Sequence, residues 1–188
     1  MMELEEQIRS KLSVLQPRAV TGTYKRQAAV LMPIFVRDRQ PHLLLTLRTK
    51  EVETHKGQIS FPGGMRERDE SLEQTALRET FEEIGIESDR IRILGRYHDY
   101  LSTTDYLVTP FVGHIEGPFK LVPQVREVAE VLEVPFQIFR DASRLRVEHR
   151  IRRGKAIDFY FYSYGPHQIW GLTARIIREF LEEVLGGN

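Results

Sequence analysis

Apolar residues along this chain fall at helical spacing near both ends and at strand spacing through much of the middle. Leu4, Ile8, Leu12 and Leu15 recur every three or four residues, which predicts a short amphipathic helix over residues 3–15. Gln27–Val36 and His42–Leu47 are apolar, β-leaning runs separated by the polar turn Arg37-Asp38-Arg39-Gln40-Pro41, and they predict a strand pair. Ile59–Phe61 predicts a brief strand, stopped by Pro62-Gly63-Gly64, which is poorly suited to continuing a ladder. Ser71 then offers an N-cap with Gln74 as its capping-box partner, and the helix that follows is expected to end near Gly85.

Further along, Ile91–Tyr100 and Asp105–Ile115 alternate like strands. Val125–Val134 supports two readings. Val125, Val128, Val131 and Leu132 fit a helical stripe, whereas the β-branched content and the closing Pro135 favour a strand. Residues 144–164 predict a hairpin around Arg153-Gly154, with Phe159 and Phe161 on one face and Tyr160, Tyr162 and Tyr164 on the other. Thr173–Leu185 predicts a second long helix through Ile176, Ile177, Phe180, Leu181 and Val184. Strands mixed with two long helices point to an α/β sandwich.

Length and composition narrow the class. The 188 residues suit one domain with a substantial core. The 27 basic and 27 acidic residues balance, so no global field steers the chain toward nucleic acid. The absence of cysteine rules out a disulfide framework and thiolate chemistry and fits a cytoplasmic location. The charged start MMELEEQIRSKL lacks a signal peptide's apolar centre, and no apolar run approaches the roughly 20 residues that span a bilayer. The expectation is a soluble single domain over 1–188, with neither a membrane nor a nucleic acid as partner.

The chemistry concentrates in Gly64–Ile86, GMRERDESLEQTALRETFEEIGI. Glu79, Glu82 and Glu83 stand at i, i+3 and i+4 and share one helical face, where like charges destabilise an isolated helix. A sequence that keeps them calls for a cation between them. Clustered carboxylate oxygens suit Mg²⁺ or Mn²⁺, hard ions that bind a few carboxylates together with substrate phosphates.

The same spacing closely resembles the Nudix box, G-x5-E-x7-R-E-U-x-E-E-x-G-U with U a bulky apolar residue, over positions 64–86. Gly64, Glu70, Arg78, Glu79, Glu82, Glu83 and Gly85 match, and Thr80 departs at the first U position. Upstream, Leu44, Leu45, Thr46, Arg48, Gly57, Phe61, Pro62, Gly63 and Gly64 match an extension that resembles the coenzyme A pyrophosphatase branch. Thr49 replaces a small residue there, and Glu53 stands where an Arg is expected, a charge reversal that bears on substrate choice. Glu127–Pro135 and Ile169–Arg175 favour the same branch.

The resemblance implies an α/β/α sandwich with a mixed β-sheet and a divalent-metal-dependent pyrophosphohydrolase. On that reading coenzyme A or a derivative is cleaved to 3′,5′-ADP and 4′-phosphopantetheine by a cytoplasmic homodimer using Mg²⁺ or Mn²⁺. Glu82 and Glu83 are the principal expected ligands, Glu79 a third ligand or a base, and the Gly63 carbonyl completes the shell. Arg78, with Glu82 at i+4, orients that carboxylate. The general base is Glu79 or a later Glu, with Glu127 the first candidate and Glu130 the next. Arg48 suits a phosphate contact by its planar fork.

Other readings stay open. The substrate could be ADP-ribose, NADH or a dinucleoside polyphosphate, or the chain could be a non-catalytic nucleotide-binding module. Glu70 could be structural support or a peripheral metal ligand. His55 could meet phosphate or lie on the surface, while His98, His114, His149 and His167 form no metal-ligand spacing. The run Arg140, Arg144, Arg146, Arg150, Arg152, Arg153 and Lys155 reads first as the exposed face of a hairpin and second as a contact for the 3′-phosphate of coenzyme A. The Phe159–Tyr164 aromatics and Trp170 read as packing.

Overall fold

A computed structural model describes residues 2–49, 57–152 and 155–186. Glu53 and His55, and the hairpin turn at Arg153-Gly154, lie outside the described residues. Helix α1 (Met2–Val14) leads into β1 (Arg26–Arg37) and β2 (Gln40–Arg48), which pair antiparallel. The turn between them is tighter than the polar run suggests: only Asp38 and Arg39 form it, both with positive φ, and Pro41 already belongs to β2. Left-handed residues at both central positions match the twist of a two-residue hairpin.

Strand β3 (Ile59–Ser60) pairs with β2, and β4 (Gly63–Met65) pairs antiparallel with β1. Strand β3 does stop ahead of Pro62-Gly63-Gly64 as expected, but Gly63 and Gly64 then open a new strand on β1 instead of a loop. Glycine lacks the Cβ that would obstruct this pairing: one built on Gly63 would lie 2.4 Å from the Ala29 carbonyl oxygen. Helix α2 (Leu72–Ile84) begins at Ser71, where both halves of the capping box form, and ends at Gly85 with φ 72°.

Strands β5 (Ile91–Arg96), β6 (Tyr100–Leu101) and β7 (Tyr106–Ile115) follow, and β7 runs parallel to β1. Val128–Pro135 is strand β8, antiparallel to β2, so the strand reading of that segment holds and the helical stripe does not. Covered on both faces, the strand alternates its burial: Val128, Leu132 and Val134 turn into one core while Val131 turns to the other. The resulting mixed sheet has the order β3-β2-β1-β7-β5, with β4, β6 and β8 attached to β1, β7 and β2.

The sequence pattern gave no warning of α3 (Phe136–Arg140), a single turn and a half that buries Phe136 and Phe139. Strands β9 (Leu145–Arg152), β10 (Lys155–Tyr164) and β11 (His167–Trp170) make a second, three-stranded sheet, and α4 (Gly171–Glu183) closes the chain. Residues of β1 and β2 alternate between two cores. Ala29, Leu31 and Leu44 pack with Ala76 and Ile84 of α2, while Met32, Leu43 and Leu45 pack in the core that holds Ile8 of α1 and Ile177 and Phe180 of α4. Helices thus cover both faces of the main sheet, an α/β/α sandwich.

Charged side chains of the hairpin are largely spent on one another. Arg146 and Arg150 pair with Glu148, Arg144 pairs with Asp141, and Arg146 and Arg150 lie over the rings of Phe161 and Phe159. Trp170 stacks on Phe161 from the neighbouring strand, whereas Tyr162 on the opposite face is fully buried against Phe139. Among the described residues no helix is long and apolar enough to cross a membrane.

Candidate active site

Helix α2 carries Arg78, Glu79, Glu82 and Glu83, and β4 passes beside it. Gly64 makes that approach possible, since a Cβ there would fall 2.4 Å from the Glu79 carboxyl carbon. Arg78 organises the near half of the site. Its Nε and Nη2 donate to Glu70 at 3.0 and 2.8 Å, Nη1 donates to Glu79 at 2.9 Å and to Glu82 at 3.0 Å, and Nη2 also reaches the Met65 carbonyl at 3.2 Å. The expected i, i+4 bond to Glu82 is present, but it is one of several.

Glu70 is satisfied on both oxygens, taking the two Arg78 bonds, the Thr75 hydroxyl at 2.8 Å and the Glu67 backbone N–H at 2.8 Å. The Arg78 guanidinium holds its carboxyl down at about 2, well below the ordinary 4.5. Such a carboxylate is a strut that fixes Arg78. Because the folded-state value is the lower one, its contribution to stability is complete above about 4.5 and is lost as pH falls toward 2. Glu70→Gln is expected to cost about 2 kcal/mol at neutral pH. Urea titrations should show that gap to wild type narrowing near about pH 3; an equal gap at both pH values would refute the assignment.

Arg48 organises the far half. It ends β2, at an irregularity of the β2–β8 ladder between Leu47 and Arg48, the kind of bulge that re-aims a side chain. Its Nη1 donates to Glu83 Oε1 at 3.2 Å and its Nη2 lies 3.8 Å from Glu127 Oε2. The backbone delivers Glu127 to this place. Thr49 N–H bonds the Glu127 carbonyl at 2.8 Å, the Thr49 hydroxyl bonds the Arg126 carbonyl at 2.8 Å, and Gln124 N–H bonds the Glu83 carbonyl at 2.9 Å. Thr49 had appeared only as a departure from a motif. The Arg126 carbonyl lies 77 residues away and the Glu127 carbonyl is next to it, so local spacing carried no signal of them.

Glu83 is only 3% exposed, and burial pushes its carboxyl up to about 8, with Arg48 opposing and Glu79 and Glu127 adding to the rise. Burial likewise raises Glu79. Among the described residues Glu83 Oε2 has no hydrogen-bond partner, and neither has Arg48 Nε. Gly63 sits opposite Val30 in a ladder whose bonds fall at the flanking pairs, Leu31 N–H to Pro62 O and Arg66 N–H to Gln27 O. Its own N–H and carbonyl therefore point away from β1, and the N–H leans on Glu83.

Glu79, Glu82, Glu83, Glu127, Arg78, Arg48 and Gly63 are thus gathered in one place. Glu130 is not: its carboxylate turns to His167 Nε2 at 3.3 Å. Three further histidines also face carboxylates, His98 with Glu183, His114 with Glu5 and His149 with Asp158. Thr80, the departure from the box, is fully buried and bonds back to the Ala76 carbonyl at 2.7 Å.

Residues of this kind fit a divalent cation by donor chemistry: hard oxygens, a surplus of carboxylates over the two guanidiniums, and a buried carboxylate oxygen without a partner. As placed, Arg78 and Arg48 hold the carboxylates apart, and among the described residues no group of three is drawn close enough to enclose an ion.

The acidic helix face on this sandwich suits a divalent cation and phosphate oxygens, and comparison with known proteins makes the class specific. The NUDIX domain model matches residues 25–155. An uncharacterized Nudix hydrolase, NudL, of Photorhabdus laumondii is 38% identical over 94% of this chain and 94% of its own length. Among solved structures, a MutT/nudix family protein from Enterococcus faecalis superposes with a TM-score of 0.56 at 18% identity, over 88% of this chain and 64% of that one. RenU, a Nudix hydrolase from M. smegmatis, gives 0.52 at 22% identity, over 60% and 71%. The chain belongs to the Nudix hydrolase family, enzymes of pyrophosphate bonds that generally use divalent metals.

Proposed function

We propose that this protein is a homodimeric, cytoplasmic, single-domain hydrolase that cleaves the diphosphate of coenzyme A or its derivatives to 3′,5′-ADP and 4′-phosphopantetheine. The observation that carries the chemistry is the meeting of Glu83 from α2 with Glu127, just before β8, around Arg48, with the Glu79 charge acting on Glu83 from the same helix face. The substrate assignment rests on the motif Leu44–Gly64, whose Arg48 stands inside that cluster.

Glu82, Glu83 and Glu79 would hold Mg²⁺ or Mn²⁺, with the Gly63 carbonyl as a further oxygen donor. The ion would supply charge neutralisation on the phosphate oxygens and a lowered pKa for an attacking water. Glu127 is about half exposed, open to solvent water, and held by its backbone rather than buried. It acts as the base, taking the proton as the water oxygen bonds phosphorus and the bridging P–O bond breaks toward the leaving phosphate. Glu79, tied to Arg78, is less free to accept it. Arg78 keeps Glu79 and Glu82 oriented, and Arg48 offers its planar fork to the diphosphate.

A second reading, hydrolysis of another nucleoside diphosphate derivative, is favoured by Glu53, whose charge is opposite to that of the matching motif. The test is product analysis by mass spectrometry with Mg²⁺ or Mn²⁺, on coenzyme A, acetyl-coenzyme A, ADP-ribose, NADH and diadenosine tetraphosphate. The expected result is 3′,5′-ADP with phosphopantetheine products, abolished by EDTA. Preferential cleavage of another substrate would establish the second reading, and no turnover of any would sink both.

A further inference from the structure

The two arginines of the site are held in different ways. Arg78 is locked by bonds of 2.8 to 3.2 Å to Glu70, Glu79, Glu82 and the Met65 carbonyl. Among the described residues the Arg48 side chain makes one hydrogen bond, at the long end of the range, and one ion pair at 3.8 Å, and its buried Nε has no partner. A guanidinium has five N–H donors. Arg48 is retained in this position by charge more than by directed hydrogen bonds.

Its partner is equally incomplete. Glu83 is almost wholly buried, one oxygen on Arg48 and the other unpartnered among the described residues. A divalent cation on this carboxylate would stand within a few ångströms of the guanidinium, and two cations at that distance in a sheltered site repel strongly. We propose that Arg48 and the divalent cation are alternative partners of Glu83, so that entry of the cation releases Arg48 to the substrate diphosphate. Arg48 is then a positioning residue while it neutralises Glu83 and Glu127, and a substrate contact once displaced. This rests on the proposed function only in taking Glu83 as a ligand of the cation.

The test is a Mn²⁺ titration without substrate, read from the electron paramagnetic resonance of the free ion, on wild type, Arg48→Gln, Arg48→Lys and Glu83→Gln. Arg48→Gln is expected to bind Mn²⁺ about tenfold more tightly, because a competing positive charge is gone. Arg48→Lys should return to near the wild-type affinity. Equal or weaker binding by Arg48→Gln overturns the proposal, and weaker binding is what a merely structural role would give. Absence of Mn²⁺ binding by wild type would remove the ligand role of Glu83 and the proposal with it, whereas binding by wild type that Glu83→Gln loses isolates the role of Arg48. If Arg48→Gln does not fold, arginine side-chain NMR of the wild type decides. The Arg48 Nε–H signal is expected to shift on saturation with Mg²⁺, and an unmoved signal overturns the exchange.

Discussion

Glu83→Gln is expected to reduce turnover by about a thousandfold or more while leaving the protein folded. The amide keeps the shape of the side chain and can still accept from Arg48, but it removes the anionic charge that a cation on the helix face requires. Little stability should be lost. Glu83 is buried, its carboxyl is pushed up to about 8, and its charged form is the one that burial disfavours. A melting temperature within a few degrees of wild type, with kcat near background at saturating Mg²⁺, is the expected pair of results. Activity within tenfold of wild type would show that the cation site lies elsewhere.

The second large effect separates two neighbouring glycines. At Gly63 (φ 153°) an added Cβ would meet backbone: the Ala29 carbonyl oxygen at 2.4 Å and Val30 Cα at 2.6 Å. Backbone of a central strand cannot yield, so Gly63→Ala is expected to cost about 3 kcal/mol. In a chain of this length that lowers the melting temperature by roughly 10 °C. At Gly64 the three atoms nearest the added Cβ all belong to the Glu79 carboxylate, at 2.4 to 2.5 Å. A terminal carboxylate can swing away, so Gly64→Ala should lose activity with a much smaller loss of stability. Thermal melts and kcat measured on both variants check this. Equal melting temperatures would mean that β4 does not press on β1 as described.

Where the chain's own local chemistry sufficed, the sequence was enough. Ser71, Gln74 and Gly85 announce both ends of α2 because capping is decided within a few residues of the helix terminus. The helical spacing of Glu79, Glu82 and Glu83 likewise fixes a shared face before any packing is known. The failures fall where the deciding neighbour is distant in sequence. The return of Gly63-Gly64 to the sheet as β4 was not readable because the pattern cannot show that β1 lies alongside, too close at Gly63 for a Cβ. Val125–Val134 could not be resolved until β2 supplied the ladder that makes Val128–Pro135 a strand.

By itself, then, the sequence carried the motif resemblance that points to the family, and the shared face of Glu79, Glu82 and Glu83, because that face depends on residue type and short-range period. Only the tertiary structure placed Glu127 beside Arg48 and turned Glu130 toward His167. It also decided that Arg48 faces Glu83, and that Thr49 and Gln124 fix the segment carrying Glu127. The physical reason is that ion pairs and backbone bonds between residues tens of positions apart are set by strand register and a ladder irregularity. Neither leaves a periodic trace in the chain.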